Sequence, residues 1–239
     1  YESAHRQAKK LREKGYEALI AYPKNWEVWI PDSKNLPDTN LNYKFFKKFS
    51  KSKIVPYLVG EYSHQKLQGP IKISSLEDIR INNTNFGKNF YLGNDAYGTW
   101  TLIQKIEFND YLKGVLPFEI GSNSPLEALK AQAVIARTWA IYNAERFNID
   151  NYHLCTSTQC QVYKPPKVDY ENVNKAILDT SNLIITYKGK PINSFYHGSN
   201  GGISAGASES WQIEDYFYLN TRIDSLDFST KSFKLPVSN

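Results

Sequence analysis

No run of about 18 apolar residues occurs anywhere in the 239, so the sequence predicts no transmembrane helix. No secretory signal peptide is visible either. The sequence opens on Tyr1 and contains no methionine, which reads as a trimmed chain from which an export signal can have been removed. Several catalytic signatures are missing too: there is no H-E-x-x-H, G-x-S-x-G or G-x-G-x-x-G and no protein-kinase set. The glycine cluster "GSNGG" at 198–202 lacks a following Lys-Ser/Thr, which excludes a phosphate P-loop. Cysteines number only two, Cys155 and Cys160. A pair so close is compatible with an oxidising compartment or with a metal site.

What is present is a globular composition: 41% apolar, 22% charged and 14% aromatic, with 17 tyrosines and 5 tryptophans. The length allows a sizeable core in one large domain or two small ones. A net charge of +5 suits an anionic polymer such as cell wall or nucleic acid without demanding one.

Residues 3–14 carry Ala4, Ala8 and Leu11 on one face and meet Gly15, which predicts a short amphipathic helix. "YEALIAY" and "WEVWIP" read as two strands joined by "PKN". Residues 32–42 read as a loop. "YKFFKKFSKSK" at 43–53 mixes five lysines with three phenylalanines, the pattern of a solvated surface helix or of a polyanion or membrane grip. Short apolar segments between Ile54 and Phe108, separated by Asn, Gly and Asp clusters, predict several strands. The clearest element is a helix over 125–146. Ser124 as N-cap, Pro125 at the first position and Glu127 form a capping box. Leu126, Leu129, Ala133, Ala136 and Ala140 mark one apolar face, and Val134, Ile135, Trp139 and Ile141 add apolar surface on other sides, which predicts burial around most of the helix. "LIITYKGKPINSFYH" predicts a hairpin turning at Gly189, and the tail after Asp227 reads as peripheral.

Two charges stand out against these apolar surroundings. Glu119 lies in "VLPFEIG" between Phe118 and Ile120. Withdrawing a carboxyl from water favours its protonated form, the form a general acid needs. The competing reading is an exposed loop glutamate with its apolar neighbours turned inward, and spacing alone favours that one. Arg137 interrupts the apolar helix. A buried guanidinium needs a partner, either Glu119 or a substrate group; otherwise it snorkels to the surface. "HLCTSTQC" places His153, Cys155 and Cys160 within eight residues. A disulfide needs only the pair, a structural zinc needs four ligands where this window offers three, and free thiols come third. A Cys–His nucleophile using His153 or His197 has no further feature behind it. Gly198, Gly201 and Gly202 fit a tight loop or a close backbone approach to a ligand.

Taken together, "YLKGVLPFEI", "PLEALKAQAVIARTWA", "CQVY", "LIITYKGKPINSFYH", "GSNGG" and "ESWQIEDYFYLNTRID" occur in the order seen in SpoIID-type proteins. These comprise the SpoIID sporulation cell-wall enzymes and the LytB amidase enhancers, and the resemblance spans roughly residues 100–225. The segment "AHRQAKKLREKGYEALIAY" resembles a peptidoglycan-binding SPOR repeat. The resemblance implies an α+β fold, a SpoIID-like domain with a buried central helix packed on antiparallel strands. That domain is expected over 54–227, with an N-terminal extension at 1–53 and a tail at 228–239. It implies lytic transglycosylase activity on the MurNAc–GlcNAc β-1,4 bond of peptide-stripped glycan, with Glu119 as the catalytic group. Arg137, Lys130, Gln132, Gln161, Tyr163, Ser199, Gly201 and Gly202 fall on substrate-lining positions, and Trp139, Tyr163 and Trp211 are candidates to stack on sugars. The alternative within the same resemblance is a glycan-binding enhancer of an N-acetylmuramoyl-L-alanine amidase. Peptidoglycan strands and a cell-wall amidase are the implied partners, with no nucleic acid, and the cell envelope is the implied location. No cofactor is required, though some members bind zinc in the region of 153–160. Three departures stand out. "P-F-E-I-G" replaces the common P-x-E-M-P, Gln159 occupies a position where a histidine is expected, and "F-Y-L" at 217–219 replaces P-Y-L.

Overall fold

A computed structural model describes residues 1–31, 37, 57–211 and 216–223, without the Trp211 side chain. The lysine–phenylalanine run at 43–53, most of the loop at 32–42 and the tail after Asp227 lie outside the described residues. The fold is α+β, and the chain divides after Ser194 into two compact units. The division cuts the domain expected over 54–227, and the first thirty residues belong to the first unit.

Helix α1 (Glu2–Glu13) buries Ala4, Ala8 and Leu11, the face that its spacing predicts. It packs with Ala18 and Ile20 beside an antiparallel hairpin of β1 (Leu19–Ala21) and β2 (Glu27–Trp29). Then comes an exposed hairpin, β3 (Tyr57–Gly60) with β4 (Ser63–Lys66). Strands β5 (Ile71–Ser74), β8 (Asn89–Asn94) and β9 (Trp100–Gln104) form a three-stranded antiparallel sheet with β8 in the middle. Between β5 and β8, β6 (Arg80–Ile81) and β7 (Thr84–Asn85) make a small hairpin. Its turn residues Asn82 and Asn83 both take positive φ, the conformation that two-residue hairpin turns favour and asparagine tolerates.

The main core is helical. Helices α2 (Phe108–Lys113), α3 (Leu116–Glu119), α4 (Leu126–Tyr142) and α5 (Glu171–Asp179) pool Leu112, Val115, Leu116, Leu129, Val173 and Ile177, all essentially inaccessible. Burying each of these larger apolar side chains contributes about 2 kcal/mol. Ala133, Ala136 and Ala140 keep one face of α4 shallow, and α5 packs closely along it through Val173, Ala176 and Ile177. The central helix packs on strands as well as on helices. Helix α4 meets the hairpin of β10 (Thr186–Tyr187) and β11 (Lys190–Pro191) at β11, while its main neighbours are helices. The three-stranded sheet adjoins this core through Phe86 and Ile106.

The capping box does not form. Pro125 is itself the N-cap, with ψ 143°, so α4 begins one residue later than predicted. Ser124 Oγ instead donates to the Ile120 carbonyl at 2.5 Å, and Glu127 pairs with Lys130 at 2.9 Å.

The second unit holds β12 (Ile203–Ser204) paired with β13 (Arg222–Ile223), and α6 (Ala207–Trp211). Within it, the "GSNGG" loop is a tight turn closed on itself. The Gly201 amide donates to Ser199 Oγ at 3.4 Å and the Gly202 amide to Asn200 Oδ1 at 2.9 Å.

Candidate functional site

Glu119 ends the single turn of α3. Val115 and Leu116 are buried beneath that turn, so the chain enters it from the core. Ile120 packs back on the core while Phe118 faces water at 45% exposure. The loop that follows bends at Gly121, whose φ of +86° suits glycine and few other residues. It is fastened by the Ser124 bond to Ile120. This glycine is the departure in "P-F-E-I-G", and the backbone there requires it.

The half-buried Glu119 carboxylate accepts one hydrogen bond, from the Val162 amide to Oε1 at 3.3 Å. Among the described residues it makes no ion pair, and Oε2 has no hydrogen-bond partner. Segment 161–164, part of "CQVY" and its continuation, runs along α2 and α3. The Lys164 amide donates to the Gly114 carbonyl at 3.0 Å. Gln161 turns inward and accepts from the Tyr111 hydroxyl at 3.0 Å. Tyr163 stacks on Tyr111, with centroids 5.7 Å apart and planes 11° from parallel. Lys164 Nζ stands 5.1 Å from the centre of the Phe118 ring. Three residues placed at the site from the sequence, Glu119, Gln161 and Tyr163, therefore meet around one extended segment. Tyr111 and the Val162 amide join them. Sequence patterning gives no sign of the Val162 amide, because a backbone donor leaves no side-chain signal.

Arg137 has other partners. The residue is 3% exposed, and its guanidinium donates to the carbonyls of Leu183 at 3.0 Å and Ile177 at 3.4 Å. Neither partner is Glu119. Ile177 is one of the last residues of α5, whose terminal carbonyls have no intrahelical partner and carry the negative end of the helix dipole. Thr138 adds a second tie, accepting from the Ile185 amide at 3.0 Å. Replacing Arg137 by alanine removes both charge-assisted bonds and strands the Leu183 carbonyl, while that of Ile177 keeps the Thr180 and Ser181 hydroxyls, and is expected to cost about 3 kcal/mol. That is about 10 °C in Tm for a domain of this size, readable by thermal unfolding.

Lys130 bridges helices, reaching Glu127 at 2.9 Å and Asp179 at 3.2 Å. Gln132 is buried and its Nε2 has no hydrogen-bond partner among the described residues. Trp139 packs in the interior, 5.1 Å from the Arg146 guanidinium, rather than lying open for a sugar. Ser199, Gly201 and Gly202 belong to the second unit.

Cys155 and Cys160 are joined in a disulfide. That occupies both sulfurs, leaves His153 exposed beside them and removes a cysteine nucleophile. Among the described residues no group of three or more histidine, cysteine and acidic side chains stands together, so the residues do not fit zinc in this state. Gln159 has a different use: its carbonyl accepts from Arg146 Nη1 at 2.9 Å. Arg146 is itself buried, 3.7 Å from the Tyr1 ring centre, and anchors the disulfide loop. By loop-closure entropy a bridge between cysteines five apart contributes about 2 kcal/mol. Paired Cys155→Ser and Cys160→Ser changes are expected to lose that much in denaturant unfolding, and the unreduced chain is expected to show no titratable thiol.

Residues 96–187, which contain Glu119, the Gln161–Tyr163 segment and the α4–α5 pair, match the family described as SpoIID, Stage II sporulation protein. This segment of the chain is similar to the SpoIID family. Over 121 residues it is 39% identical to an uncharacterized protein of Brachyspira hyodysenteriae, covering 48% of this chain and 32% of that protein. Over 116 residues it is 37% identical to the amidase enhancer of Bacillus subtilis, covering 48% of this chain and 15% of the relative. The Stage II sporulation protein D of Bacillus subtilis is 30% identical over 128 residues, covering 46% and 36%. The chain thus spans about a third or less of the length of these curated relatives.

Proposed function

We propose that the protein is a peptidoglycan lytic transglycosylase that cleaves MurNAc–GlcNAc β-1,4 bonds in peptide-stripped glycan strands. The carrying observation is Glu119 itself: a half-buried carboxylate that, among the described residues, makes no ion pair, is steadied on one oxygen by a backbone amide and has its other oxygen unengaged. Hydrolytic glycosidases set two carboxyls across the bond. A transglycosylase needs one. Protonated Glu119 gives its proton to the glycosidic oxygen as the C1–O bond breaks. The resulting carboxylate then takes the proton of the same sugar's 6-hydroxyl as that oxygen closes on C1, leaving a 1,6-anhydro end. Gln161 and Tyr163 shape the segment that carries the Val162 amide beside Glu119, and Arg137 acts through the α4–α5 framework. Such an enzyme works outside the cytoplasmic membrane, where the Cys155–Cys160 bridge is at home. The test is digestion of denuded glycan by the wild type and by Glu119→Gln, scored by anhydro ends.

A second reading has its own support, the 37% identity to an amidase enhancer. In it the protein binds glycan and stimulates an N-acetylmuramoyl-L-alanine amidase without cutting the strand. It predicts no anhydro ends from the wild type and unchanged stimulation by Glu119→Gln.

A further inference from the structure

A cavity of about 1530 Å³ is walled by the β5–β8–β9 sheet, the β6–β7 hairpin, α2 and residues 163–169, and Glu119 is not among its walls. It exceeds the roughly 300–1,000 Å³ of small-molecule pockets, so its size suits an extended ligand. Much of its sheet wall comes from residues 72–91, ahead of the SpoIID segment at 96–187.

Lys72, Lys88, Lys105 and Lys167 line the cavity, and none makes an ion pair among the described residues. Of the acids there, Asp110 is paired with Lys113 at 2.8 Å and Asp169 accepts from Asn174. Arg80 adds a fifth cation, and Asp78, Glu107 and Asp169 offset three of the five, so the cavity keeps an excess of positive charge.

The sheet adds an aromatic platform. A Cβ placed on Gly93 would meet Tyr91 Cε1 at 2.6 Å, so the Tyr91 ring lies over its glycine neighbour two residues along β8. A ring laid along the sheet offers a π-face to a ligand. Lys72 is the cross-strand partner of Tyr91, which puts the two on one face of the sheet. Strand alternation adds Asn89 to that face. Tyr163, bonded to the Gln104 side chain, also lines the cavity. Rings for the faces of pyranoses, amides for N-acetyl groups and lysines for carboxylates make the set of contacts an anionic amino-sugar chain requires.

We propose that this groove is a second glycan site, which holds a stretch of an anionic amino-sugar strand outside the Glu119 site, with Tyr91 as stacking platform and Lys72 and Lys105 against the strand's carboxylates. It rests on the wall-glycan reading above. Tyr163 lines the groove and the preceding residue, Val162, holds Glu119, so the two sites adjoin along one segment.

The test uses the Glu119→Gln chain, which retains ligand without turnover, and calorimetric titration with purified peptide-free glycan strands. Added Tyr91→Ala, or the pair Lys72→Gln and Lys105→Gln, is expected to weaken binding about tenfold, the loss typical of an interface anchor. Tyr91→Phe, which keeps the ring, is expected to bind as the parent does. Unchanged binding by the lysine pair, whose exposed positions spare the fold, overturns the proposal. So does binding that ignores Tyr91→Ala yet collapses with salt, the mark of an unspecific polyanion surface. Loss of anhydro-end release is a separate readout: a wild type that cuts nothing while Tyr91→Ala still loses affinity removes the transglycosylase reading and leaves the groove standing.

Discussion

Glu119→Gln is expected to lower release of anhydro-ended fragments about a thousandfold while leaving thermal unfolding unchanged. Glutamine has the length and shape of glutamate, and its amide oxygen still accepts from the Val162 amide, so the position is kept. No ion pair is lost, because Glu119 makes none among the described residues. What disappears is the exchangeable proton, and general acid–base catalysis supplies about 10²–10⁴-fold. In the proposed reaction one group serves both half-steps, which places the loss well inside that range. Glu119→Asp tests position rather than chemistry. It withdraws the carboxyl by one methylene, and a misplacement near 1 Å costs about a hundredfold. Equal release by wild type and Glu119→Gln would sink the transglycosylase reading. An unchanged stimulation of amidase by the same variant would favour the enhancer.

Gly114→Ala is expected to be the most damaging single substitution for the fold around the site. The added Cβ would meet Tyr163 Cε2 at 2.3 Å, Tyr163 Cδ2 at 2.7 Å and the Lys164 carbonyl oxygen at 2.8 Å. Two of these belong to a ring already stacked on Tyr111, and the third is backbone, so no flexible side chain can yield. Overpacking of this kind costs about 3 kcal/mol, or about 10 °C in Tm. The strain also moves segment 161–164, which carries the Val162 amide. Glycan cleavage measured well below the new Tm is therefore expected to fall as well, with the loss in kcat. A variant with full activity and unchanged Tm would contradict this packing.

How much of this was legible beforehand depends on how local each cause is. Ala4, Ala8 and Leu11 of α1, the hairpin at Gly189 and the Ala133–Ala136–Ala140 face of α4 follow from periodicity and turn chemistry, and all are found. The capping box failed for a local reason that motif matching passes over. Pro125 takes extended ψ and assumes the cap, which leaves Ser124 one residue too early to reach the helix amides. Arg137 reads correctly as needing a partner. The partner itself is some forty residues away and is a pair of backbone carbonyls, which no side-chain pattern announces. Trp139 faced two readings, and the buried guanidinium of Arg146 accounts for its place inside. The groove was invisible for the same reason as the Arg137 partners, since its walls come from residues 72–113 and 163–169.

The stretch from Cys160 to Lys164 alternates like a strand: Gln161 and Tyr163 are buried, Val162 is half-covered and Lys164 is exposed. An inserted or deleted residue here would act like a frameshift in space. The two inward side chains would trade places with their outward neighbours, and the amide that steadies Glu119 would point the other way. The disulfide fixes one end of this count and the Lys164–Gly114 hydrogen bond the other. Chain length between those two anchors is thus a specification of the site, as binding on any replacement loop as the identity of the glutamate.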